Sequence, residues 1–117
     1  MKAKSLSLLF GVMFAASTIA QTPSYTAVNA AKHVGETATI TDKVDGVHQS
    51  SKGNIFLNMG GKYPNQAFTA FIPAKSAGQF SDFQKYDGKT VSVSGKITLY
   101  KGKPEIVVTS TSQLLEK

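Results

Sequence analysis

Residues 88–110 read "GKTVSVSGKITLYKGKPEIVVTS". In this run Val91, Val93, Ile97 and Leu99 alternate with Thr90, Ser92, Ser94, Lys96, Thr98 and Tyr100. A period of two cannot be gathered onto one side of a helix, so the run commits the chain to a sheet with one dry and one wet face. A second stretch, 36–47, repeats the pattern, with Ala38, Ile40 and Val44 against Thr37, Thr39, Thr41 and Lys43. Gly46 and Gly95 interrupt the two runs where a long strand can bulge or bend. Laid together, "GETATITDKV" (35–44) and "GKTVSVSGKI" (88–97) share their glycine, threonine and alternating positions, with Asp42 standing where the second copy has Gly95. Shared strand mechanics explains this echo more simply than duplication.

Between the two runs lie "HQSSKGN" (48–54), a polar connection; "IFLNM" (55–59), a short strand; "GGKYPNQ" (60–66), all turn chemistry; and "AFTAFI" (67–72), a strand ended by Pro73. Ile55, Leu57, Phe68, Ala70 and Ile72 read as core, which turns Phe56 and Phe71 outward. Tyr63, beside Pro64, reads as a structural cover. "AKSAGQFSDFQKY" (74–86) predicts a short helix whose Ala77, Phe80 and Phe83 form an apolar stripe, weakened at Gly78. Tyr100-Lys101-Gly102-Lys103 turns, Pro104 opens a fifth strand at its edge, and the tail packs Leu114 loosely before fraying. Residues 21–34 read either as an arm or as a short helix. The order β-β-β-α-β-β over 35–114 is too short for two full sheets. It predicts an all-β domain with one helix, a five-stranded closed barrel on the oligonucleotide-binding (OB) plan.

Met1-Lys2-Ala3-Lys4 followed by an apolar run to Ala16 and small residues at 18–20 predicts an export leader over residues 1–20, cleaved near Ala20, and a periplasmic or secreted product. The apolar run falls short of the roughly 20 residues a membrane span needs, so no integral span is expected after cleavage. The remaining 97 residues make one domain. With no cysteine, that domain must be held by apolar packing alone. Two lysines leave with the leader and all 7 acids stay, giving a mature charge of +4. Every basic residue is lysine, which suits a diffuse negative partner better than planar, bidentate reading.

Catalytic chemistry is not expected. His33 and His48 lack partners at ligand spacing. Asp42, Asp45 and Glu105 form no hard-metal cage, and Gly60-Gly61-Lys62 lacks the spacing of a phosphate loop. No metal or other cofactor is expected. On an OB barrel the ligand surface is the outer face of strands two and three, flanked by loops 48–54 and 100–104. The candidate ligand-binding residues are then His48, Lys52, Phe56, Asn58, Phe71, Tyr100, Lys101 and Lys103: aromatic plates for bases and mobile cations for phosphates.

"FLNMGGKYPNQAFTAFIP" (56–73) and "GKTVSVSGKITLYKGKPEIVVTSTSQL" (88–114) resemble small bacterial exported OB-fold, nucleic-acid-binding-like proteins, over residues 34–114. The resemblance implies the same barrel and a nucleic-acid-binding assignment. The expected function is non-catalytic, weak binding of single-stranded DNA, RNA or another polyanion. The rival is an envelope protein whose barrel binds a protein, a polysaccharide or a small anion.

Overall fold

The computed structural model describes residues 22–117, so the leader expected over residues 1–20 lies outside the described residues. Within them, Ser24–Tyr25 forms strand β1 and Thr37–Gln49 forms β2, a single strand of 13 residues. The first half of β2 pairs antiparallel with β5 (Thr90–Lys96), and the second half with β3 (Ile55–Met59). The change of partner falls at a bulge between Val44 and Gly46, where an extra residue bends the strand. One strand thus belongs to two leaves. The first leaf also carries β1, parallel on β2, and β8 (Leu114–Glu116), antiparallel on β5. The second continues from β3 to β4 (Phe68–Ile72), then to a parallel β7 (Lys103–Val107) and an antiparallel β6 (Thr98–Tyr100). Ile40, Ile55, Leu57, Phe68, Ile72, Ile97 and Ile106 are fully buried between the leaves.

This is an eight-stranded mixed sheet, running β6-β7-β4-β3-β2-β5-β8 with β1 beside β2 off that path, not the expected closed five-stranded OB barrel. Among the described residues, no ladder joins the two ends of that path. Two local causes are visible. First, the run 90–100 is not one strand. Gly95 takes a φ of 152°, and a Cβ there would lie 2.7 Å from Ile106 Cγ2, so β5 approaches β7 too closely for any side chain. Just beyond it Ile97 leaves the ladder and bonds instead to Gly35 and Glu36. The alternation breaks at this point, which is why Leu99, expected inside, is 57% exposed.

Second, a glutamine occupies the gap that a closing ladder would fill. Gln113 Nε2 donates to Ser94 O on β5 and to Val107 O on β7, both at 3.0 Å. Its Oε1 accepts from the amides of Thr109 at 2.9 Å and Ser110 at 3.2 Å. The tail that was expected to fray is therefore ordered. Ser110 and Gln113 form a capping box around a 3₁₀ helix at Thr111–Gln113, and Leu114 is buried.

The expected helix over 74–86 is also revised, into two 3₁₀ helices at Ala74–Phe80 and Phe83–Tyr86. Ala77, Phe80, Phe83 and Tyr86 recur every third residue. A 3₁₀ helix has three residues per turn and keeps such a series on one face, whereas an α-helix would rotate it away. Phe80, Phe83 and Tyr86 are all buried accordingly. The N-terminal segment resolves into β1 and a 3₁₀ helix at Ala27–His33, with Ala27 and Ala30 wholly buried. Asp42 holds it in place, its Oδ2 accepting from Ala27 N at 2.9 Å. Glu36 adds a clasp. One of its carboxylate oxygens accepts from the Tyr25 hydroxyl and the other is paired with His33 Nδ1, each at 2.7 Å. The Tyr25 bond, and then the His33 bond, hold the Glu36 carboxyl below its ordinary pKa.

Gln113→Ala is expected to lower unfolding stability by about 1–3 kcal/mol, because five hydrogen bonds lose their shared partner. Gln113→Glu is expected to cost at least as much, since a carboxylate cannot donate to the carbonyls of Ser94 and Val107. Urea unfolding of both variants measures this, and unchanged midpoints would show that the two leaves are held together by other contacts.

Candidate functional site

The bend in β2 leaves one broad outer face on the second leaf, and strand register sorts its side chains into rows. In the first row His48 stands opposite Phe56, Phe56 opposite Phe71, and Phe71 beside Val107. The rings of His48 and Phe56 lie 5.9 Å apart at 28°, and those of Phe56 and Phe71 lie 5.3 Å apart at 57°. Both phenylalanines face outward, as expected, but each is half-buried. The second row runs Gly46, Asn58, Thr69 and Glu105. Thr69 Oγ1 donates to Asn58 Oδ1 at 2.9 Å and accepts from Gln66 Nε2 at 3.4 Å. Asn58 and Thr69 are buried despite their polarity, and this bond is what makes their burial tolerable.

Together with the 60–66 turn and the 100–104 hairpin, these rows enclose a groove of about 1000 Å³, at the upper end of the range for sites that take small organic molecules. His48, Phe56, Asn58, Phe71, Tyr100, Lys101 and Lys103 all line it, so the two predicted loops do border one site. Lys52 does not line it and stands exposed in its turn. Tyr63 is not the expected cover: it sits at the groove rim with 76% of its surface free.

The charges in the groove overturn the polyanion reading. Lys62, Lys101 and Lys103 face Asp45, Asp87 and Glu105, three cations against three carboxylates. Lys103, expected to clamp phosphate, instead donates to the carbonyls of Pro64 and Gln66 and so staples the 60–66 turn to β7. Lys101 occupies the hairpin tip with a left-handed φ of 52°, followed by Gly102 at 82°, and its ammonium lies 5.3 Å from the ring centre of Tyr100. That pair of positive φ values is the two-residue turn whose twist matches the flanking strands. A phosphate chain entering here would meet as many fixed negative charges as positive ones. The closed barrel on which the nucleic-acid expectation rested is also missing. A small anion meets the same carboxylates, and the rival reading of an envelope-protein or polysaccharide site gains no support from the groove.

Sequence reasoning did not single out Gln66, Thr69, Asp45 or Glu105 as site residues. Asp45 Oδ2 accepts from Gly61 N at 2.7 Å and fixes the turn that forms one wall. Glu105 enters the site because β7 lies parallel to β4 and opposite Thr69, a long-range pairing that no local pattern announces. Burial pushes the Glu105 carboxyl above its ordinary pKa. Among the described residues, no group of three or more His, Cys, Asp or Glu side chains is placed to hold a metal ion. Among them, too, no helix is long and apolar enough to cross a membrane.

No protein-family model matches the chain, and no curated protein matches it in sequence. Among solved structures, the chain is similar in fold to part of a protein described as a putative aspartyl-tRNA synthetase from Leishmania major Friedlin. The likeness has a TM-score of 0.56 at 11% identity, and covers 91% of this chain and 22% of that one. Identity this low speaks to the fold alone, and the chain spans about a fifth of the protein it matches. The resemblance of residues 34–114 to small exported bacterial OB-fold proteins is therefore not sustained. What is found is a loose fold likeness to a segment of a much larger protein.

A raised carboxyl pKa means that folding disfavours the ionised form. Its stability contribution is therefore greatest below the ordinary value of 4.5 and is lost as pH rises through the higher folded value. Glu105→Gln should accordingly melt at a higher temperature than the wild type at pH 7. That gap should close below about pH 4.5, which thermal unfolding across pH will show.

Proposed function

We propose that the chain is a binding module and not an enzyme, and that its outer-face groove takes a small organic ligand with a flat apolar body and hydrogen-bonding substituents. The observation that carries this reading is the pairing of two surfaces in one groove. The half-buried Phe56 and Phe71 rings offer apolar area that water covers poorly, and the Asn58–Thr69–Gln66 chain beside them is fixed before any ligand arrives. Such a division, mostly apolar wall with a few placed polar groups, suits small-molecule recognition.

The side chains in the groove support recognition over catalysis. The Thr69 hydroxyl is engaged on both sides, by Asn58 and by Gln66, and is not held as a nucleophile. His48 stacks on Phe56 at the exposed end of the aromatic row and forms no hydrogen bond or ion pair with a carboxylate among the described residues. With the leader expected over residues 1–20, we place this binding activity in the periplasm or outside the cell. Mass spectrometry of the protein recovered from an exporting cell should give a new N-terminus at Gln21, and an intact Met1 would remove the export proposal.

Titration with indole and with benzamide, followed in ¹H–¹⁵N spectra, tests the groove. The expected result is shifts confined to 46–48, 55–58, 66–71 and 100–105, with millimolar affinity weakened about tenfold by Phe71→Ala. Shifts centred on the β2–β5 face, or none up to about 10 mM, would overturn the assignment.

A further inference from the structure

The groove contains two acceptors that folding leaves without donors. The Glu105 carboxylate is half-buried, yet it forms no hydrogen bond or ion pair with any described residue. The one side chain that bonds to this residue, Thr98 Oγ1 at 3.4 Å, reaches its backbone carbonyl and not its carboxylate, among the described residues. Its cross-strand neighbour Thr69 is already committed. Gln66, which donates to that same threonine, has its Oε1 buried with no partner at all. Buried polar atoms are almost always satisfied, so the Gln66 oxygen calls for an explanation, and the Glu105 carboxylate nearby is half-buried with only solvent to meet it.

The two lysines of the hairpin that carries Glu105 are engaged elsewhere, and the third groove lysine, Lys62, forms no ion pair with it. Lys103, two residues before it on the same strand face, is held by the carbonyls of Pro64 and Gln66, and Lys101 lies over Tyr100. The other groove carboxylate on this leaf, Asp45, is satisfied by the Gly61 amide. Asp87 is exposed at the groove and also unpaired among the described residues, so Glu105 is the unpaired groove acid that folding half-buries, and it lines the same groove as aromatic rings whose faces attract cations.

Resting on the small-ligand reading above, we propose that the groove is selective for an organic cation, an arylalkyl ammonium. Its ring lies on the Phe56–Phe71 surface and its charge is met by Glu105. A neutral ligand of the same shape leaves the carboxylate unmet. An anionic one opposes it.

Three probes of one shape separate the terms: tryptamine, tryptophol and indole-3-propionate, titrated into the purified protein at pH 7 and read by groove amide shifts. Tryptamine is expected to bind about tenfold more tightly than tryptophol, and indole-3-propionate more weakly than either. Glu105→Gln should bring tryptamine down to the tryptophol level, a loss of the tryptamine-to-tryptophol ratio that a merely structural role would not produce. Phe71→Ala should weaken all three alike. Equal binding of tryptamine and tryptophol by the wild type overturns the cation proposal and leaves the groove reading intact. Groove shifts from none of the three overturn both.

Discussion

The architecture depends on one strand serving two leaves. β2 pairs with β5 along its first half and with β3 along its second, and the bulge between Val44 and Gly46 lets it turn from one to the other. Without that bend the apolar sides of the leaves could not face each other across Ile40, Leu57 and Ile106, and the outer side of the second leaf would be flat. Two further contacts keep the bend from relaxing. Gly95 admits β7 to within reach of β5, and the Gln113 amide bonds to both strands at once. A side chain can span this gap because it carries a donor and an acceptor on a flexible stem. A ladder would need strand lengths and register that the broken run at Ile97 does not supply.

The alternation within single strands was legible in the sequence, the closed five-stranded barrel expected from it was wrong, and what was missed has identifiable causes. Period-two alternation placed Ala38, Ile40, Val44, Val91 and Val93 inside correctly, and glycine marked the bulge near residue 46. Alternation is a local property, however, and it could not show that Ile97 would leave the ladder and reverse the face of Leu99. The segment 74–86 was misjudged for a similar reason. Apolar spacing of three was treated as an approximation to the α-helical period, when it was the 3₁₀ period itself. In the candidate site, the turns and aromatic strands legible in the sequence place His48, Phe56, Asn58, Phe71, Tyr100, Lys101 and Lys103 along one groove, with Lys52 outside it. Their roles were less legible than their places. Lys103 looks like a free cation in "KGKPE", and only the folded position of Pro64 and Gln66 shows that its ammonium is occupied.

The carboxylates sharpen the contrast between groups that serve the fold and groups that do not. Asp42 takes the amide that opens the N-terminal 3₁₀ helix, Asp45 takes the amide of Gly61, and Glu36 clasps Tyr25 and His33. Asp82 pairs with Lys85 at 3.1 Å on the surface. Each of these acids recovers in bonds at least part of what it loses in hydration. Glu105 is half-buried on the inner strand of a parallel pair and recovers nothing from the described chain, so its ionised form burdens the folded state. A glutamine of the same shape would relieve that burden, and the buried Gln66 Oε1 nearby would still be short of a donor. Sites that bind often hold groups whose satisfaction is deferred until the ligand arrives, at some expense in stability. The position of this deficit, opposite Thr69 in the row next to the Phe56–Phe71 pair and on the strand of a lysine already tied down, fits a ligand that brings a positive charge.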